Sequence, residues 1–135
     1  MTTGYSGTPL ARKLSLKDAQ RVWWDGMPES VRSEIESEGL ALELLAVPGA
    51  PLDAAHIFVT EYADMETKLA RLRPLLAPGG FIWVSWPKKA SKVATDITED
   101  RIRDSILAGT DLVDVKVCAV DSIWSGLKLM VRRRS

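Results

Sequence analysis

The stretch Leu75–Pro87, LLAPGGFIWVSWP, decides how the rest of the sequence is read. Ala77–Gly80, APGG, carries the proline and glycines that stop a helix and turn the chain. Phe81–Trp86, FIWVSW, is a run of mainly β-branched and aromatic side chains, so it predicts a buried strand. Pro87 has no N–H to give to a ladder and closes that strand. Upstream, Met65, Leu69, Leu72 and Leu76 recur at helical spacing within DMETKLARLRPLL. A helix feeding a buried strand through a tight turn is a unit of an α/β sheet.

The same alternation extends in both directions. RVWWD (Arg21–Asp25) reads as a strand; Gly26 breaks it, and Pro28 opens a helix with Val31 and Ile35 on one face, ended by Gly39. LALELLAV (Leu40–Val47), followed by PGAP, reads as a strand, and HIFVT (His56–Thr60) as a short buried one. Asp96 as N-cap and Glu99 three residues on predict a helix with Ile97, Ile102, Ile106 and Leu107 as its buried stripe, stopped by Gly109. DVKVCAV (Asp114–Val120) alternates, with Val115, Val117 and Ala119 on one side and Lys116 and Cys118 on the other. DSIWSG is a turn-like connection, and LKLMV (Leu127–Val131) is the last strand. At the start, Gly4–Gly7 is a flexible segment, and Thr8-Pro9 opens a short helix through Leu14. Arg132–Arg134 form a solvated basic tail.

Strands alternating with helices imply a parallel sheet covered on both faces. The last two strands have no helix between them and must pair antiparallel. The expected fold is a single α/β domain over residues 1–135: a three-layer, Rossmann-like sheet of about six strands, mostly parallel, ending in an antiparallel hairpin.

Composition narrows the function classes. Lys+Arg and Asp+Glu number 18 each, so net charge is zero, which argues against a nucleic-acid-binding surface. One Cys precludes an internal disulfide and a cysteine-based zinc site, and the single His56 has no second ligand near it, so no metal is expected. His56 reads as structural or exposed and Cys118 as buried and inert, and no catalytic residue is assigned. No apolar run approaches the roughly 20 residues of a membrane span, and the first residues lack a signal-peptide core, so a soluble cytoplasmic protein is expected.

Open α/β sheets bind ligands outside the carboxyl ends of their strands, near the reversal of strand order. That edge collects the loops Asp25–Pro28, Val47–Pro51, Thr60–Ala63 and Trp86–Asp96. In the last loop, Lys88, Lys89 and Lys92 with Ser91 and Thr95 suit a phosphate or carboxylate, aided by the following helix N-terminus. Asp96 as N-cap would compete for those donors, and a solvated basic turn is the other reading. Asp25 and Glu61 end strands on the same edge. Trp23 and Trp24 are adjacent and must point to opposite faces, and Trp83 reads as core. Trp86 and Trp124, at a strand end and a turn, are candidates for a pocket wall or a dimer contact.

LLAPGGFIWV resembles the helix-to-strand passage of class I S-adenosylmethionine-dependent methyltransferases, with its Pro-Gly-Gly turn. That resemblance implies their fold with one of the usual seven strands missing, because PGAPLDAA is too short to hold a helix and strand. It also implies an acidic, glycine-rich loop after the first strand and an acid after the second. Here those places read WWDGMPES, with Asp25 and Gly26 only, and LLAVPGA, with no acid, so no cofactor is expected. Three further strings, GYSGTPLARKL, WPKKASKVATDIT and KVCAVDSIWSGLKLMVRR, resemble a family of small bacterial proteins of unknown function (the domain of unknown function 3052 type). This resemblance implies a bacterial cytoplasmic protein and directs attention to those segments, which the fold can place together. The expected function is a module binding a small anionic metabolite or a partner, with a degenerate methyltransferase-like fold that is not a working methyltransferase. The alternatives are a divergent methyltransferase and a homodimeric interaction protein; no membrane association is expected.

Overall fold

Residues 8–132 are described by the computed structural model; the expected Gly4–Gly7 start and the tail arginines at 133 and 134 lie outside the described residues. Six strands form one sheet: β1 (Arg21–Asp25), β2 (Glu43–Leu44), β3 (Leu52–Phe58), β4 (Leu76–Pro87), β5 (Leu112–Ala119) and β6 (Trp124–Val131). The helices are α1 (Leu10–Lys13), α2 (Glu29–Glu36), α3 (Tyr62–Leu72) and α4 (Glu99–Gly109). Strand order is β2–β1–β3–β4–β6–β5. β2, β1, β3 and β4 are parallel, and β6 runs antiparallel to both β4 and β5. β5 therefore runs with β4, and the carboxyl ends of β1 to β5 share one edge with the β5–β6 turn.

The period of two along β4 divides the core. Ile82, Val84 and Trp86 face α3 and α4, where Met65, Leu69, Ile102 and Ile106 cover them. Phe81 and Trp83 face α1 and α2, with Leu14, Val31 and Ile35. Trp23 joins the first core and Trp24 the second, as their adjacency requires. The Trp83 indole N–H donates to Leu14 O at 2.9 Å, which satisfies its buried polar atom and pins α1 to the sheet.

Several expectations are corrected. α3 stops at Leu72, a 3-10 turn spans Arg73–Leu75, and Leu76 belongs to β4. Ala77–Gly80 is thus an irregularity within β4: Leu52 pairs with Leu76, but Ala54 pairs with Phe81. β3 begins at Leu52, earlier than His56, because pairing on both sides outweighs the weak strand preference of its alanines. β2 is only two residues, both exposed, at an open edge. β6 begins at Trp124; the turn is shorter because Asp121 Oδ1 accepts the N–H groups of Ile123 and Trp124, both at 2.8 Å. Leu107 is 56% exposed, since Ile102 and Ile106, one helical turn apart, own the buried face of α4. Val115 and Val117 are also exposed: β5 is the other open edge, and a register shift between Asp114 and Lys116 breaks its alternation. Among the described residues no helix is long and apolar enough to cross a membrane.

Candidate functional site

The basic loop leaves β4 at Pro87 and is built by its own polar side chains. The Lys88 N–H donates to Ile123 O at 2.7 Å, tying the loop to the β5–β6 turn. The Ser91 hydroxyl donates to Lys88 O at 2.7 Å and accepts from Val93 N, closing a 3-10 turn over Lys89–Ser91. Lys92 follows in the left-handed region at φ +63° and is exposed. Thr95 Oγ1 donates to Thr60 O at 2.6 Å and accepts from Ile97 N, clasping the loop to the end of β3. Ser91 and Thr95, expected as anion ligands, thus hold backbone.

Asp96 does not cap α4. Its Oδ1 accepts the Tyr62 N–H at 2.7 Å, in the first turn of α3, and Thr98 caps α4 by accepting from Arg101 N at 3.1 Å. The expected competition between Asp96 and a ligand at the α4 N-terminus is therefore absent. The first turn of α4 instead carries Glu99 and Asp100, and Arg103 forms ion pairs with Glu99 and Asp114.

The nine candidates separate by strand and face. Trp86, Lys88, Lys89 and Thr95 line one groove of about 420 Å³, together with Pro87, Ile97, Thr98, Glu99 and Ser125. Trp86 is 7% exposed and belongs to the α3–α4 core. Trp124 lies on the other face, edge-on to Phe58 at 5.1 Å, so the two tryptophans cannot form one wall. The register explains it: Ser125 pairs with Trp86 and Trp124 with Pro87. Asp25 and Glu61 stand at the reversal of strand order between β1 and β3, two strands from Trp124. Asp25 is already engaged: Lys68 Nζ lies 2.5 Å from its Oδ2 and 3.0 Å from Asp64 Oδ2. Burial alone would lower the Lys68 pKa, but these two carboxylates outweigh it and the pKa is raised. Beside it Gly26, at φ +70°, leaves only 3.1 Å between its Cβ position and Phe58 O.

Lys88, half-buried, also lines a smaller cleft of about 160 Å³ on the opposite face, with Thr8, Leu10, Lys13, Glu34 and the Ala119–Ser122 turn. The three segments singled out in the sequence do converge, at Lys88. Lys116 Nζ donates to Lys13 O, and Lys128 Nζ to Ser15 Oγ, each at 2.9 Å. Among the described residues no carboxylate forms an ion pair with Lys88, Lys89 or Lys92. Ser125 and Ile97 were missed as groove residues; reading β6 from Trp124 would have placed Ser125 beside Trp86.

His56 is buried and Cys118 half-buried. His56 Nε2 lies 2.7 Å from Ser85 Oγ, the ring stacks on Phe58, and burial pushes its pKa down to about 3. Burial raises the Cys118 thiol pKa despite Lys13 and Lys116 nearby, which disfavours the thiolate. No group of three metal-ligating side chains occurs among the described residues.

No family model matches this sequence, and no curated protein matches it in sequence. Solved structures do resemble it in fold. They include a SAM-dependent methyltransferase from Aquifex aeolicus, with 15% identity and TM-score 0.57, covering 90% of this chain and 87% of that one. A ribosomal protein L11 methylase from Lactobacillus delbrueckii subsp. bulgaricus has 11% identity and TM-score 0.56, covering 92% and 77%. An rRNA methylase from Streptococcus thermophilus has 11% identity and TM-score 0.53, covering 96% and 100%. At these identities the likeness shows a shared fold: a methyltransferase-like α/β sheet.

Proposed function

We propose that this protein is a binding module for a small anion, held by Lys88 and Lys89 at the carboxyl edge of its methyltransferase-like sheet. One observation carries the reading: two lysines that pair with no described carboxylate stand over a groove walled by Trp86, Pro87 and Ile97. An ammonium with no carboxylate partner gains more from an arriving anion than one already paired. The convergence of three segments around Lys88 is in keeping with the resemblance to the small bacterial family.

Thermal denaturation in the presence of inorganic phosphate, acetate, nucleotides and larger carboxylates tests this. A ligand at 100 times its Kd adds about 2.7 kcal/mol of stability, enough to move the melting temperature by several degrees. At least one anion raises it, and the Lys88→Ala/Lys89→Ala double variant loses that rise. A panel with no hit, or a hit indifferent to both lysines, refutes the reading.

The fold likeness supports a second reading, a divergent methyltransferase. Weighing against it are the single glycine of WWDGMPES and the Lys68 ammonium on Asp25. Calorimetry with S-adenosylmethionine separates the two: heat with a Kd below about 1 mM favours the enzyme.

A further inference from the structure

We infer that the ligand of the Lys88–Lys89 groove is an amphiphilic carboxylate: an apolar body lying on Trp86, Pro87 and Ile97, with its head group at the two ammonium groups. This rests on the anion-binding reading above and adds what the rest of the ligand must be.

Most polar groups of the groove are already engaged. Thr95 Oγ1 donates to Thr60 O and accepts from Ile97 N. Thr98 Oγ1 accepts from Arg101 N as the cap of α4. The Glu99 carboxylate is paired with Arg103. What remains to meet a ligand is mainly cationic: Lys88 and Lys89, with the Ser125 hydroxyl and the second oxygen of Glu99 beside them. A ligand rich in donors, such as a sugar or nucleoside, would bury more hydroxyl and amino groups than Glu99 and Ser125 can accept from, at a cost for each left over. A sulfonium cofactor would bring a positive charge to a cationic rim. An acceptor-only head group meets the two ammonium groups, and a body without polar atoms asks nothing further of the groove. The groove, about 420 Å³, lies within the range of small-molecule sites, roughly 300–1,000 Å³. That is more room than a bare carboxylate or phosphate fills. The wall is firm but narrow: Trp86 and Ile97 are core residues, 7% and 2% exposed, so the body meets little of each.

The test is calorimetric titration of the full chain at constant ionic strength with acetate, inorganic phosphate, 2-naphthoate, decanoate and neutral 2-naphthalenemethanol. At least one of 2-naphthoate and decanoate binds tenfold or more tightly than acetate and phosphate, and the tighter of the two tells an aryl from an acyl body. Where 2-naphthoate binds, the neutral alcohol is at least tenfold weaker, and Lys88→Ala/Lys89→Ala weakens the bound amphiphile by a similar factor. Ser125→Phe, which narrows the groove beside Trp86, weakens the amphiphile and leaves acetate unchanged. If acetate or phosphate binds as tightly as both amphiphiles, the amphiphile inference falls while the anion site stands. If the alcohol binds as tightly as 2-naphthoate, or if no probe binds at millimolar concentration, both fall.

Discussion

Asp96 Oδ1 accepts the backbone N–H of Tyr62 at 2.7 Å, so the one acid of the basic loop caps α3, the helix after β3, and leaves α4 to Thr98. The loop and the α3 N-terminus thereby hold each other. Arg101 reinforces the junction, with its guanidinium 4.0 Å over the Tyr62 ring and a 2.8 Å hydrogen bond to Asp96 O.

Loss of that cap is measurable. Asp96→Ala lowers unfolding free energy by about 1 kcal/mol, as removal of a helix-capping oxygen does, and Asp96→Asn retains most of it. Denaturant titration with unchanged m-value is the check. An alanine variant as stable as wild type removes Asp96 from this role.

Lys92 separates charge from position. Its φ of +63° is strained for a side chain with a Cβ, and it lies outside the groove that Lys88 and Lys89 line. Lys92→Gly therefore raises stability by about 0.5–1 kcal/mol and leaves ligand affinity within about twofold. Tenfold weaker binding in this variant places the anion elsewhere on the loop.

His56 sets a pH dependence. Its folded pKa, about 3, lies below the ordinary value of 6.5, so the unfolded chain binds a proton that the folded chain refuses. Stability from this group is complete above pH 6.5 and falls as pH drops toward 3, by about 1.4 kcal/mol per pH unit. Between pH 6.5 and 5, before most carboxylates titrate, the loss is about 2 kcal/mol. His56→Gln flattens the stability profile in that window. An equal slope in the variant, measured by urea unfolding, contradicts the buried neutral imidazole.

Gly80 tests the irregular start of β4. A Cβ there would lie 2.7 Å from Leu52 O and 2.9 Å from Ala77 O, both backbone atoms that cannot swing away. Gly80→Ala costs on the order of 2 kcal/mol, whereas Gly109→Ala, with nothing within 4 Å of its Cβ position, is neutral or stabilising. Thermal melts of the two variants give the comparison.

Much of the fold is legible locally. Phe81–Trp86 and the Met65–Leu69–Leu72 face announce β4 and α3, and the missing helix between the last strands announces their antiparallel pairing. What escapes is set by partners distant in sequence. Ala77–Gly80 looks like a helix stop, but its place depends on Leu52 across the ladder. Asp96 looks like the cap of the helix that follows it, yet Tyr62, 34 residues earlier, takes its oxygen. Trp86 and Trp124 each look like pocket residues, and only the register with Ser125 shows that they face apart. Lys88 and Lys89 are legible as a basic loop, while the groove beside them needs Ile97 at the far end of that loop and Ser125 from β6.

On the proposed reading a ligand sits in the Trp86–Ser125 groove, away from the reversal of strand order at Asp25. Backbone amide shifts of ¹⁵N-labelled protein titrated with 2-naphthoate, and separately with S-adenosylmethionine, test it most directly. Saturable shifts from 2-naphthoate are expected at Trp86, Lys88, Lys89, Ile97–Glu99 and Ser125, with Asp25–Met27 and Thr60–Tyr62 unmoved. Shifts centred on Asp25, Gly26 and Tyr62, from either ligand and without the groove residues, contradict it.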